Sequence, residues 1–128
     1  MRRIFLVLPL ALLACVETAP VKPQEWKLVA LNRQPFLATA TLSLDQSGDR
    51  AFGRAPCNSW SGRVAKDPFP TWAIRDVTST EMACADLSAE QAFLAALARA
   101  THMAVTTQSL TLTDGQGLRM DFIPAGSP

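Results

Sequence analysis

The chain has 128 residues, with 12 Lys and Arg against 11 Asp and Glu, one His, no Tyr and 48% hydrophobic residues, enough for one small domain and no more. A formal charge of +1 with 18% charged residues leaves no basic stripe to neutralise phosphates, so nucleic-acid binding has no electrostatic support. The length also excludes an enzyme with a separate cofactor domain.

Met1-Arg2-Arg3 is followed by an apolar run of 11 residues, Ile4 to Ala14, broken only by Pro9. A membrane-crossing helix needs about 20 residues, so residues 1–14 read as a secretory signal and are set aside from the fold. The end of the run, Leu12-Leu13-Ala14-Cys15, resembles a bacterial lipoprotein lipobox. The resemblance implies cleavage before Cys15, acylation of its thiol, and a lipid anchor on the bacterial envelope facing the periplasm. Each buried methylene contributes about 0.8 kcal/mol, so two or more acyl chains hold a protein on a membrane stably. Val16, rather than Asp, follows the Cys, which by the enterobacterial rule favours the outer membrane. Removing residues 1–14 takes two arginines away and leaves 114 residues with 10 basic and 11 acidic side chains, a nearly neutral mature chain. Residues 15–24, with Pro20 and Pro23 and no periodicity, read as a lipidated tether. The domain is expected over residues 25–124, with 125–128 as a tail.

Within the domain the hydrophobic period is mostly two. Trp26 to Leu31 is a strand candidate. Ala40, Leu42 and Leu44 then alternate with Thr39, Thr41 and Ser43 and run into Asp45-Gln46-Ser47-Gly48-Asp49, a half-buried strand entering a hairpin. Arg50 to Arg54, Trp60 to Ala65, Trp72 to Val77 and Thr101 to Thr106 are weaker strand signals bounded by Pro, Gly, Asn or Asp. Ser88-Ala89-Glu90-Gln91 has the form of a capping box, predicting a helix that starts at Ser88, places Phe93, Leu94 and Leu97 on one face and ends near Thr101. The clearest hairpin is last: Leu110 and Leu112, the turn Asp114-Gly115-Gln116-Gly117, then Leu118, Met120 and Phe122. These signals amount to about seven short strands and one helix whose apolar stripe must lie on a sheet. Short loops between short strands allow several Greek-key or meander orders.

With Cys15 assigned to lipid, Cys57 and Cys84 remain, in a compartment where thiols oxidise. A structural disulfide is the default reading, and a loop of this size gives about 3 to 4 kcal/mol of stabilisation. The alternatives are a metal site, which needs more ligands than two Cys and the lone His102, and a redox pair, which prefers C-x-x-C spacing. No metal and no cofactor are expected.

Around these cysteines the sequence resembles a known family. Gly53-Arg54-Ala55-Pro56-Cys57-Asn58-Ser59-Trp60-Ser61-Gly62 is similar to the G-x-x-G-C-N-x-aromatic-x-G signature of the META/HslJ domain family (DUF306), and Thr80-Glu81-Met82-Ala83-Cys84 to its T-x-M-A-C segment. Trp26-x-Leu28, the helix with Phe93, Leu94 and Leu97, and the final Leu110-Thr111-Leu112 hairpin follow in the family's order. The likeness runs from Glu25 to about Pro124, and the two Cys motifs together make it specific. One departure is Pro56 where the family usually has Gly, which fixes φ and removes an amide donor in the turn before Cys57. The resemblance implies a mainly β (α+β) fold, a small curved antiparallel sheet or partly open barrel with one helix packed on it. It also implies a bacterial envelope lipoprotein linked to heat shock and novobiocin resistance, with no enzymatic activity established for the family. Members also resemble pilotins, which escort secretin subunits to the outer membrane.

Three further groups of residues invite a functional reading. Asn58, Trp60 and Gly62 are a candidate recognition loop, since Asn tolerates φ > 0 and Trp offers a large amphipathic contact, although turn-shaping beside a disulfide and core packing explain them better. Thr78-Ser79-Thr80 is a hydroxyl cluster of the kind that more often bonds local backbone than attacks substrates. His102 is the one imidazole, without a carboxylate placed beside it by sequence. The leading expectation is therefore a non-enzymatic envelope lipoprotein that binds another protein or a lipid-like ligand. A pilotin-like assembly partner or hydrolase inhibitor comes second, and a thiol oxidoreductase or Ser/Thr hydrolase last.

Overall fold

A computed structural model describes residues 23–126 except 67 and 69. The signal, Cys15 and most of the tether lie outside the described residues, as does the end of the tail. The elements in order are β1 (Glu25–Leu31), β2 (Gln34–Pro35), β3 (Thr41–Leu44), β4 (Arg50–Arg54), β5 (Ser59–Ala65), β6 (Ala73–Ser79), α1 (Leu87–Arg99), β7 (His102–Val105), β8 (Leu110–Thr113) and β9 (Arg119–Pro124). All strand pairs are antiparallel. The sheet order is β6-β5-β4-β3-β1-β9-β8-β7, with β2 folded back on β1. Two meanders, β3 to β6 and β7 to β9, are thus joined through β1, which pairs with both β3 and β9.

The outermost strands meet at one end. Thr71 bridges His102, Trp72 N–H donates to Thr101 O at 2.8 Å, and Met103 N–H donates to Pro70 O at 3.0 Å. The right-handed twist of a long antiparallel sheet carries its edges toward each other, and here they touch without pairing throughout. The result is the partly open barrel expected from the sequence. Helix α1 connects these two edge strands. No helix among the described residues is long and apolar enough to cross a membrane.

Strand alternation sends Trp26, Leu28, Leu42, Ala51, Trp60, Ile74, Leu110, Leu112, Met120 and Phe122 inward, where they are buried with Phe93, Ala96 and Leu97 of α1. Phe93 is the helix's main anchor. Its ring meets Trp60 edge-on at 5.9 Å between centroids and Phe36 at 6.4 Å. A fully buried ring of this kind contributes about 1.5–3 kcal/mol.

Trp60 and Trp72 are both interior, yet their indole N–H groups differ. Trp60 Nε1 donates to Thr41 O at 3.0 Å, whereas Trp72 Nε1 has no partner among the described residues. Replacing either Trp by Phe removes comparable packing, but only the first change orphans a buried carbonyl. Trp60→Phe is therefore expected to cost about 1–2 kcal/mol more than Trp72→Phe in urea unfolding; the opposite order would contradict this assignment.

The same Thr41 carbonyl explains Gly53. A Cβ on Gly53 would run into Thr41 O, which the Trp60 indole and the strand backbone hold in place. Gly53→Ala is expected to destabilise the domain by about 2 kcal/mol or more. Gly62→Ala, whose Cβ would lie 3.1 Å from Arg75 O, is expected to cost less; thermal unfolding of the two variants checks the order.

Two expectations need correction. The helix begins at Leu87, with Asp86 at the cap making no side-chain cap bond, so Ser88 sits inside the first turn and no capping box forms with Gln91. Glu90 instead turns inward and is buried, because the segment before the helix is pinned to the β4–β5 turn and sets the entry angle. The strands number nine rather than about seven: each of the eight segments with a strand signal forms one, and the two-residue β2, which carries no periodic signal at all, is the ninth. The final turn agrees with its sequence. Asp114 Oδ1 accepts from Gln116 N at 2.7 Å and Leu118 N at 2.9 Å, while Oδ2 accepts from Arg99 at 2.7 Å. The Gln116 amide foremost, then Leu118 and Arg99, outweigh partial desolvation and hold this carboxyl below the usual carboxylate range.

Candidate functional site

Strand β4, Arg50-Ala51-Phe52-Gly53-Arg54, alternates with period two. Ala51 is fully buried, and Arg50, Phe52 and Arg54 project to the outer face. Phe52 is 38% exposed, one of five large apolar side chains that reach solvent among the described residues, and it is set apart by the charged and hydroxyl side chains around it. Cross-strand register places it in a row of polar neighbours. Glu25, Ser43, Phe52, Ser61 and Thr78 are successive partners across β1, β3, β4, β5 and β6. At about 4.8 Å between strands, this row spans roughly 19 Å.

Both arginines beside Phe52 are tied down. Arg54 Nη1 reaches straight across to Ser59 Oγ at 3.0 Å, and Arg50 Nη2 reaches diagonally to Ser61 Oγ at 3.1 Å. Both guanidiniums are thereby drawn over β5. Ser61 Oγ lies 3.4 Å from Thr78 Oγ1, and Thr80 Oγ1 accepts from Ser59 N at 3.2 Å. Thr41 and Ser43 on one side of Phe52 and Ser59, Ser61 and Thr78 on the other line a groove of about 650 Å³ that also takes in Glu25. Ser43 is buried, and no hydrogen bond joins its hydroxyl to a described residue, so its remaining capacity is directed to the groove.

Charge is unevenly placed on this face. The described residues hold nine Lys and Arg and nine Asp and Glu, yet β4, β5 and β6 hold four arginines and one acid. That acid, Asp76, adopts φ 54° where two residues of β6 oppose Gly62 of β5, a bulge that aims its carboxylate at Arg63. The pair is exposed and contributes about 0–1 kcal/mol. Arg50, Arg54 and Arg75 form no ion pair with a described carboxylate.

The candidate recognition loop is corrected by its burial. Asn58 and Trp60 are each 3% exposed, and Gly62 is buried where the β6 bulge crosses it. Asn58 is a strut. Its Nδ2 donates to Met82 O at 2.9 Å and Glu90 Oε2 at 2.6 Å, and its Oδ1 accepts from Met82 N at 2.7 Å and Thr80 Oγ1 at 2.9 Å. Glu90 Oε1 accepts from Cys57 N at 3.2 Å. Beside this network Cys57 and Cys84 are joined by a disulfide, with Cα atoms 5.6 Å apart. The turn that contains Pro56 closes through Ala55 N–H donating to Asn58 O at 2.6 Å, and positive φ at non-glycine residues occurs only at Asn32, Arg33 and Asp76 among the described residues. The amide needed here belongs to Cys57, not to residue 56.

Thr80 of the hydroxyl cluster is committed to Asn58, and Thr78 faces Ser61. His102 sits on β7, with Nδ1 2.9 Å from its neighbour Thr101 Oγ1, and the bridge from Thr71 to His102 lies before β6 begins, away from the cluster that follows Val77. The structure therefore does not bring these hydroxyls and the imidazole together. Among the described residues no group of three or more His, Cys, Asp and Glu could hold a metal. Sequence reading missed Arg50, Phe52 and Arg54; the signal was an aromatic residue on the polar phase of a strand, with an arginine two residues to either side.

The family model for the META domain matches residues 19–127. No curated protein matches the chain. Among solved structures, the NMR structure of a protein from Burkholderia xenovorans is similar with a TM-score of 0.62 at 21% identity, covering 94% of this chain and all of that one. A second NMR structure gives a TM-score of 0.61 at 18% identity, covering 80% of this chain and 89% of the other. These likenesses are of fold.

Proposed function

Because the chain belongs to the META domain family, we propose that it is a non-enzymatic envelope lipoprotein of the META/HslJ type. It is a binding protein serving in envelope stress or antibiotic (novobiocin) tolerance, anchored through Cys15 and working through the outer face of β4–β6. The observation that carries this reading is the Arg50–Phe52–Arg54 row, whose two guanidiniums are held over β5 by Ser59 and Ser61. This part-exposed aromatic stands between two arginines that are each bonded to a serine hydroxyl. The row offers apolar contact and bidentate hydrogen bonding to something outside the fold. The surrounding hydroxyls support binding rather than catalysis, since Ser59 and Ser61 serve the arginines and Thr80 serves Asn58. The lipobox-like Leu12-Leu13-Ala14-Cys15 and the Cys57–Cys84 disulfide support an oxidising envelope compartment.

A photo-crosslinking residue at position 52 tests the reading in cells, with one at position 37 as control. Leu37 is 96% exposed and lies between β2 and β3, away from the row. A discrete membrane-fraction adduct from position 52 and none from position 37 is expected. Equal labelling at both positions, or none at 52, would overturn the proposal.

A further inference from the structure

We infer that the ligand of this face is an acidic saccharide, with a sugar ring laid on Phe52 and carboxylates on the Arg50 and Arg54 guanidiniums. The inference rests on the binding-face reading above and adds the chemistry of the occupant.

Charge complementarity supplies the first argument. A domain whose described charges balance places four arginines and one acid on three adjacent strands, and the acid is paired with Arg63. Arg50 and Arg54 are left facing outward, bonded only to serine hydroxyls. Planar guanidinium matches planar carboxylate through two parallel hydrogen bonds. The two arginines are not convergent, however. They stand four residues apart on one strand, about 13 Å between Cα atoms, with a phenylalanine between them. One small anion cannot use both, but a chain carrying acidic groups at intervals can.

The rest of the face decides what kind of chain. Ser43, Ser61 and Thr78 lie in register with Phe52 at about strand spacing; Ser61 Oγ already accepts from Arg50 and meets Thr78 Oγ1, and the capacity left on these two hydroxyls and on the buried Ser43 borders the groove. Such a row matches a polyol, in which most ring carbons carry a hydroxyl of their own. The exposed Phe52 ring offers the apolar platform on which the C–H face of a sugar can rest. An extended peptide would draw on the free backbone groups of an edge strand, and β4 and β5 are interior strands, with ladders on either side of Phe52 and of Ser61. A membrane surface would meet just one apolar side chain in the row. Glu25, at the β1 end, repels a carboxylate there and so confines the acidic groups to the β4–β5 side. The occupant is an acidic polysaccharide rather than a lipid headgroup.

The test is calorimetric titration of the full mature chain with tetragalacturonate. Maltotetraose, hexaglutamate and phosphatidylglycerol vesicles are titrated alongside. Tetragalacturonate is expected to bind at least about tenfold more tightly than any of these three, because only it satisfies both the hydroxyl row and the arginines. Phe52→Ala should weaken it about tenfold, Arg54→Gln by a similar factor, and Phe52→Trp should restore binding. Equal binding of hexaglutamate or of vesicles, or indifference to Phe52→Ala, would overturn the saccharide assignment. If no probe binds while crosslinking at position 52 still yields its discrete adduct, the saccharide inference falls and the binding-face reading stands. If both fail, both fall.

Discussion

Asn58→Ala is expected to lower the stability of the domain by about 3–5 kcal/mol, the range for breaking a buried network that includes a carboxyl group. Asn58 fills both donor and both acceptor directions of its amide with partners from residues 80, 82 and 90; Asn58 and Glu90 are buried, while Thr80 and Met82 lie on the exposed segment. Truncation leaves Glu90 Oε2 without a donor and frees the Met82 backbone from both of its bonds to this side chain. A loss of this size moves the melting temperature by about 15 °C or more in a domain of roughly a hundred residues. Urea unfolding of the purified chain is the check, and a loss below about 1 kcal/mol would show that the network is not the fastening described. Glu90→Gln is a sharper probe. Each carboxylate oxygen accepts one bond, from Cys57 N and from Asn58 Nδ2, and an amide cannot accept both. It is expected to cost about 1–3 kcal/mol despite its near-identical shape.

The second large effect belongs to the disulfide. Cys57 and Cys84 are separated by 27 positions, and closing a loop of that size stabilises by about 3 to 4 kcal/mol in the chain-entropy account. A Cys57→Ser, Cys84→Ser variant, or the native chain under reductant, should therefore unfold at a markedly lower midpoint. Coincident curves with and without reductant would contradict this. The disulfide and the Asn58 amide fasten the same exposed segment, Thr80 to Ser88, to the same turn, so their losses should not add. A coupling energy of about 0.5–3 kcal/mol in a double-mutant cycle is expected for such neighbours.

These two fastenings also position the candidate site. Ser59 and Thr80 sit at the start of β5 and just past the end of β6, where the Asn58 network begins, and Ser59 holds Arg54. The two cysteine motifs of the sequence therefore serve the frame, and the proposed binding surface lies on the strands that they hold.

Much of this frame was legible in the sequence because burial on one face leaves a period of two. Leu110, Leu112, Met120 and Phe122 all point inward as their alternation requires. The last hairpin was clear because Asp114 and two glycines at positive φ write the turn chemistry into the chain. The start of the helix was not, because Asp86 at its cap makes no side-chain bond and the first turn is held by bonds from Asn58 and Cys57 to the Glu90 carboxylate, which no local motif encodes. Strand order was equally hidden, since the pairing of β1 with β9 joins segments about 90 residues apart. As for the candidate site, Asn58 and Trp60 drew attention through their unusual chemistry, and that chemistry is spent internally. Arg50, Phe52 and Arg54 look ordinary one by one; register across β3, β5 and β6 gives them hydroxyl neighbours.

The central claim is that this protein acts through the outer face of β4–β6, and complementation tests it most directly. A strain deleted for the gene would carry either the native chain or the Arg50→Gln, Phe52→Ala, Arg54→Gln variant. Matched membrane levels and an intact disulfide, read by mass before and after reduction, would establish that the variant is made and folded. Under heat or novobiocin challenge the native chain should restore tolerance, and the variant should leave cells as sensitive as the deletion. Full restoration by the variant would contradict the account.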